Sequence, residues 1–112
     1  MAAVPVGAVE LADITFSLQQ GAWLTHSVHG DGVVMMFVPT AMPDDGLEGL
    51  APALPVLCAQ VAARVMPRFL AESRKGQPAY VAIEIRSGAT GFGGYVRDYF
   101  SWTEGACGDA LK

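Results

Sequence analysis

Apolar positions recur with a helical period over only one stretch of the chain, residues 55–73 (PVLCAQVAARVMPRFLAES). Leu57, Val61, Val65 and Phe69 return every fourth residue, flanked by Cys58, Ala62, Met66 and Leu70, while Gln60, Arg64, Arg68 and Glu72 form a polar row. One apolar and one solvated stripe on a 3.6-residue period predict an amphipathic helix. Such a helix is not stable alone in water, so it needs a sheet to lie on. Pro55 suits the first turn, where its missing N–H costs nothing. Pro67 removes a backbone hydrogen bond and clashes with the carbonyl of Ala63, which predicts a kink or a break near Met66. Arg74-Lys75-Gly76 supplies a basic last turn and a glycine stop.

On both sides of the helix the period changes to two. In residues 14–18, Ile14, Phe16 and Leu18 point inward, and Gln19-Gln20-Gly21 marks a turn. Residues 22–28 place Leu24, His26 and Val28 on one face and Trp23, Thr25 and Ser27 on the other, before a turn at His29-Gly30-Asp31-Gly32. Residues 33–38 (VVMMFV) are apolar on both faces, as in a central strand covered twice or in a partner interface. Pro39 ends the run, and residues 40–54 form a loop, with a short extra turn at 47–50. Its acids complement the dipole of the helix that follows. In residues 80–86, Val81, Ile83 and Ile85 face the core while Tyr80, Ala82, Glu84 and Arg86 face out. A glycine-rich connection then leads to a last strand at 95–102, with Val96, Asp98, Phe100 and Trp102 opposite Tyr95, Arg97, Tyr99 and Ser101. Residues 1–8 read as an extended arm, and 104–112 as a tail containing Cys107 whose free end is 108–112. The order β-β-β-α-β-β predicts one α+β domain over residues 1–112, an antiparallel sheet of about five strands with one kinked helix packed on a face.

Composition adds a hint about the surface. The chain is 52% hydrophobic and 16% charged, against a usual charged share of about a quarter. A small domain with so few charges suits work against a partner. Residues 1–60 carry six acids (Glu10, Asp13, Asp31, Asp44, Asp45, Glu48) and no Lys or Arg, whereas the remainder is mildly basic. Either these acids simply occupy loops, or they form an acidic face that repels nucleic acid and meets a basic partner. No basic stripe interleaves with aromatics, so nucleic-acid binding is not expected. No apolar run approaches the roughly 20 residues of a membrane span, so none is expected either. The start, MAAVPVG, has no basic n-region and no long apolar core. The chain is therefore expected to be cytoplasmic or the mature form of an exported domain.

Candidate chemistry is sparse. His26, His29 and Asp31 are the one cluster of metal-ligand types, but a transition-metal site wants three or four convergent ligands, and on a strand His26 and His29 point to opposite faces. They are weak metal candidates, and no metal or cofactor is expected. The run GATGFGG lacks the Lys-Ser/Thr of a phosphate loop and does not open a helix. Its Phe92 is an aromatic on a glycine loop, suited to anchoring a partner. No nucleophile elbow or thiol-enzyme signature is present, so the chain is not expected to be an enzyme. Glu84 and Arg86, with Arg97 and Asp98, are placed for cross-strand ion pairs. Six of the ten aromatics lie between Tyr80 and Trp102. The outward set, Tyr95 and Tyr99 beside Arg97, with Tyr80, has the composition of binding hot spots, although Tyr also favours strands in general.

Cys58 and Cys107 admit two readings, a pair of free thiols or a disulfide closing a loop of about 50 residues and adding about 4 kcal/mol. The pieces AVPVG near the start, Phe37 to Pro39 (FVP), Leu57-Cys58, and Tyr99 to Cys107 (YFSWTEGAC) resemble a group of small, uncharacterised alphaproteobacterial proteins, usually exported. That resemblance implies an exported domain, periplasmic or secreted, with a cysteine pair, and implies nothing about chemistry. The expected function is a non-enzymatic interaction module, an accessory subunit or adaptor. It would bind another protein through its sheet face or edge, using Tyr95, Arg97, Tyr99, Phe92 and Tyr80. Two alternatives stay open: a small-ligand or metal-binding domain built on His26, His29 and Asp31, and an immunity or inhibitor protein with an acidic binding face.

Overall fold

A computed structural model describes residues 8–11, 14–42, 44, 46–73, 76–87 and 94–111. The strands are β1 (Ala8–Leu11), β2 (Ile14–His26), β3 (Gly30–Pro39), β4 (Tyr80–Arg86), β5 (Tyr95–Thr103) and β6 (Ala106–Ala110). They form one sheet of six strands in sequence order. Every neighbouring pair is antiparallel except β3 and β4, which run parallel. Between those two lie a 3₁₀ turn (Gly46–Leu50), α1 (Ala53–Leu57), a π-helical turn (Cys58–Ala62) and α2 (Ala63–Ser73). The expected α+β architecture, a largely antiparallel sheet with one joined helix, is present.

The sheet has two unlike faces. Phe16, Val33, Met35, Phe37, Val81, Ile83, Ile85, Phe100 and Trp102 face the helix, which returns Leu54, Leu57, Cys58, Val61, Ala62 and Met66 to the same core. On the opposite face lies a smaller buried cluster of Val34, Met36, Tyr80 and Ala82, with no helix above it among the described residues. The apolar helix rows are thus inward, and Gln60, Arg64, Arg68 and Glu72 are exposed. By length and composition alone the 21-residue segment Ala53–Ser73 would suffice to cross a membrane. Its apolar side is the side laid against the sheet.

Several local expectations change. The turn expected at Gln19-Gln20-Gly21 lies inside β2, where a bulge between Leu18 and Gln20 absorbs the irregularity. Gly21 serves packing there, because a Cβ at that position would come within 3.3 Å of the Phe69 ring. The tail from residue 104 instead folds back as β6. Glu104 and Gly105, both at positive φ (54° and 79°), form the turn, as a two-residue type I′ hairpin requires. Helical geometry continues through Pro67. The departure from α geometry expected at Met66 lies earlier, at Cys58–Ala62, where the Ala63 N–H reaches back to the Cys58 carbonyl. Cys58 and Cys107 are joined in a disulfide with a Cα–Cα distance of 5.9 Å, tying the helix to the edge strand β6.

Candidate functional site: the uncovered face of the sheet

Strand register assembles this face. Glu84 on β4 stands opposite Arg97 on β5, Ala82 opposite Tyr99, and Arg86 opposite Tyr95. Alternation then sends Tyr80, Ala82, Glu84 and Arg86 to the same side as Tyr95, Arg97 and Tyr99. The Glu84 carboxylate is completely buried and is satisfied by both arginines. Arg97 Nε donates to Oε1 at 2.8 Å, its Nη2 donates to the same oxygen, and Arg86 Nε donates to Oε2. A buried carboxylate without such partners would be costly, so the two guanidiniums are what allow Glu84 to lie in the sheet.

Arg97 links this buried anion to the aromatic surface. Its Nη1 donates to the Tyr99 hydroxyl at 3.1 Å, and its guanidinium lies 5.1 Å from the Tyr95 ring centroid and 6.0 Å from that of Tyr99. Burial pulls the Arg97 pKa down, but the hydrogen bonds to Tyr99 and Glu84 and the Glu84 charge outweigh it and hold the pKa above the ordinary value. Arg97 is a fixed cation with every side-chain nitrogen engaged. Tyr95, 57% exposed, is the outermost residue of the ladder.

The β2–β3 hairpin closes over the other end of the face. His26 and His29 do not point apart, as plain strand alternation would require. The turn at residues 27–29 brings their rings into a stack with centroids 4.6 Å apart. His26 Nδ1 accepts the backbone N–H groups of Val28 (3.0 Å) and His29 (3.2 Å), which leaves the proton of the neutral ring on Nε2. Both rings pack against Tyr99, with centroids 5.1 and 5.5 Å away. Val28 projects from the tip, 77% exposed.

Tyr80 corrects an expectation. It lies on the outward face but is fully buried, its hydroxyl donating to the Leu24 carbonyl at 2.9 Å. Its ring lies flat over Gly32, where a Cβ would sit 2.5 Å from it. Burial, with smaller contributions from Tyr99 and Asp31, pushes its pKa up. Tyr80 is the floor of the site and presents no surface to a partner. Phe92 lies outside the described residues. Asp31 does not join the histidines: its Oδ1 accepts the Thr25 hydroxyl at 2.7 Å on the helix side of the sheet. Among the described residues no group of three or more His, Cys, Asp or Glu converges as metal ligands would. Of the acids in the first half of the chain, Asp31 opens β3 whereas Asp44 and Glu48 follow its far end, about 30 Å of strand away; Asp13, Asp45 and the side chain of Glu10 lie outside the described residues.

The sequence pattern predicts the Tyr95–Arg97–Tyr99 row and cross-strand ion pairing among Glu84, Arg86, Arg97 and Asp98; the register selects Glu84 with Arg97. It does not predict the docking of the histidines on Tyr99, because that contact depends on how the hairpin turn folds over the sheet. No family model, curated protein or solved structure matches this chain.

Proposed function

We propose that the protein is a non-enzymatic interaction module whose uncovered sheet face binds another protein through Tyr95, Arg97 and Tyr99, with His26, His29 and Val28 at the hairpin end. The observation that carries this reading is the immobilisation of Arg97. Glu84 and Tyr99 hold it, and Tyr95 packs over it, before any partner arrives. Interface energy concentrates in Tyr, Trp and Arg side chains, and much of the cost of association is the ordering of long side chains. A ladder already ordered in the free protein avoids that cost. The partner surface that fits is apolar or aromatic at its centre, to cover Tyr95 and Tyr99, with carbonyl or carboxylate acceptors facing the exposed part of Arg86.

The disulfide supports an oxidising, exported location, periplasmic or secreted. Site-specific photo-crosslinking in the native host tests the binding face. A crosslinker replacing Tyr95 or Tyr99 should capture one defined protein, identified by mass spectrometry, and a crosslinker at Gln60 on the exposed helix face should not. Equal capture from both faces, or none from the sheet, refutes the assignment. A species of twice the chain mass would make the partner a second copy.

A further inference from the structure

On the helix side of the sheet, beyond the end of α2, a cavity of about 390 Å³ is lined by Trp23, Leu24, Thr25, Asp31 and Gln77. It lies on the other side of the sheet from the Tyr–Arg ladder and does not rest on the reading of that ladder. β2 and β3 build it by pairing Thr25 with Asp31, and the chain arriving at β4 brings Gln77, with the Ala79 N–H bonded to the Asp31 carbonyl at 2.8 Å. Its size is within the usual range for small-ligand pockets, roughly 300–1,000 Å³.

The charge of the described lining is one-sided, since Asp31 is its one ionisable residue. The Thr25 hydroxyl spends its proton on Asp31 Oδ1, so towards the cavity it offers lone pairs. Asp31 is exposed and acceptor-only when ionised, and Oδ2 remains beside the engaged Oδ1. Gln77 is exposed, and its amide, donor and acceptor at once, is able to turn its oxygen to the cavity. Trp23 contributes an indole wall, the aromatic surface that most favours a cation. Among the described residues no Lys or Arg belongs to this lining. A carboxylate, a hydroxyl already used as donor, an amide and an indole match a ligand that donates several hydrogen bonds and carries positive charge.

We propose that this cavity is a binding site for a primary alkylammonium group, received by Asp31, Thr25 and Gln77 with its methylenes against Trp23. The same group occurs on free aliphatic amines and on lysine side chains of proteins. Three donors on one ammonium meet three acceptor side chains, and the carboxylate supplies the charge.

The test is a titration of the full chain followed by backbone-amide and indole N–H NMR shifts, with n-butylammonium and Nα-acetyl-lysine amide as probes. n-Butanol and Nε-acetylated Nα-acetyl-lysine amide are the neutral controls. Saturable shifts centred on Trp23, Thr25, Asp31 and Gln77 are expected with the ammonium probes only. Asp31→Asn keeps the acceptor for Thr25 and should weaken binding about tenfold, the loss of one charge-assisted contact. Gln77→Ala, on an exposed loop, should weaken it severalfold without altering the melting temperature. Preference for the lysine probe over butylammonium assigns the site to a protein lysine, and equal binding assigns it to free amines. Absence of saturable shifts, equal response to the neutral controls, or indifference to Asp31→Asn in a protein with unchanged melting temperature overturns the proposal.

Discussion

Replacing Glu84 with glutamine isolates what holds the uncovered face in order. Glu84 is fully buried and accepts from two arginines whose side chains are 38% and 22% exposed. The amide would keep the volume and one acceptor oxygen but not the charge, leaving Arg86 and Arg97 close together without their anion. Removing one member of a fully buried pair costs about 3–5 kcal/mol. Here the arginines can partly rehydrate, so about 2–3 kcal/mol is expected after that discount. With a urea m-value of about 1.5 kcal/mol/M, the unfolding midpoint should fall by roughly 1.5 M. Glu72→Gln is the control. It removes the same kind of ion pair, Arg68–Glu72 at 3.1 Å, but on the solvated helix face, where the side chains are 86% and 68% exposed. That change should stay within about 0.5 kcal/mol. A cycle combining Glu84→Gln with Arg97→Gln should show coupling of about 1 kcal/mol or more. If Glu84→Gln costs no more than Glu72→Gln, the carboxylate does not organise the ladder and the pre-ordering of Arg97 has another source.

Three further outcomes follow from single contacts. The Cys58–Cys107 bridge spans 49 residues, so the Cys58→Ser/Cys107→Ser variant should lose about 4 kcal/mol in the chain-entropy model, a drop of roughly 15 °C in calorimetric Tm; an unchanged Tm would mean the bridge does not stabilise the fold. Gly32→Ala places a methyl 2.5 Å from the Tyr80 ring, which must swing away and give up the Leu24 carbonyl, at a cost of about 2–3 kcal/mol; a neutral result would show that the ring has room to move. Tyr80, raised by burial above its usual value of 10.0, should ionise later than a free tyrosine in an absorbance titration. Because the folded-state pKa lies above the unfolded one, this contribution to stability is complete below pH 10 and declines as pH rises past it, since the unfolded chain ionises first. In Gly32→Ala the late-ionising tyrosine should disappear, and its persistence would assign that titration to another residue.

Much of the fold is legible from periodicity. The helix shows itself because its two apolar rows and its polar row, Gln60 to Glu72, are unmixed, and burial follows those rows. β4 and β5 show themselves by alternation of Val81, Ile83 and Ile85 and of Phe100 and Trp102. What periodicity hides is anything set by distant packing. Gly21 resembles a turn residue, yet its smallness accommodates Phe69. Glu104-Gly105 is not the usual Asn-Gly or Asp-Gly turn pair, so β6 passes for a tail. The parallel pairing of β3 and β4 has a simpler origin. A 21-residue helical segment is about 30 Å long, enough to carry the chain back along the strand it has just left, so the next strand starts at the same end and runs the same way.

The site divides along the same line. Outward on an alternating strand means the second face of the sheet, and for a central strand the second face need not meet solvent. β4 lies between β3 and β5, and Tyr80, Ala82 and Glu84 are sealed by the neighbours on either side, although the residue types resemble an exposed row. The edge-ward strand β5 keeps its outward row partly open, which is why Tyr95, Arg97 and Tyr99 remain at the surface and Tyr80 does not. The pairing of Arg86 with Tyr95 closes the β4–β5 ladder, and that one pair dictates the others: Glu84 must meet Arg97, and Ala82 must meet Tyr99. Shifting the register by one residue would turn Arg97 towards the helix and leave the buried Glu84 with Arg86 alone, its Oε1 unpartnered. The buried carboxylate therefore selects the register, and the register places the arginine between its two tyrosines. One charge at the centre of the sheet is the common cause of the strand alignment and of the surface available to a partner.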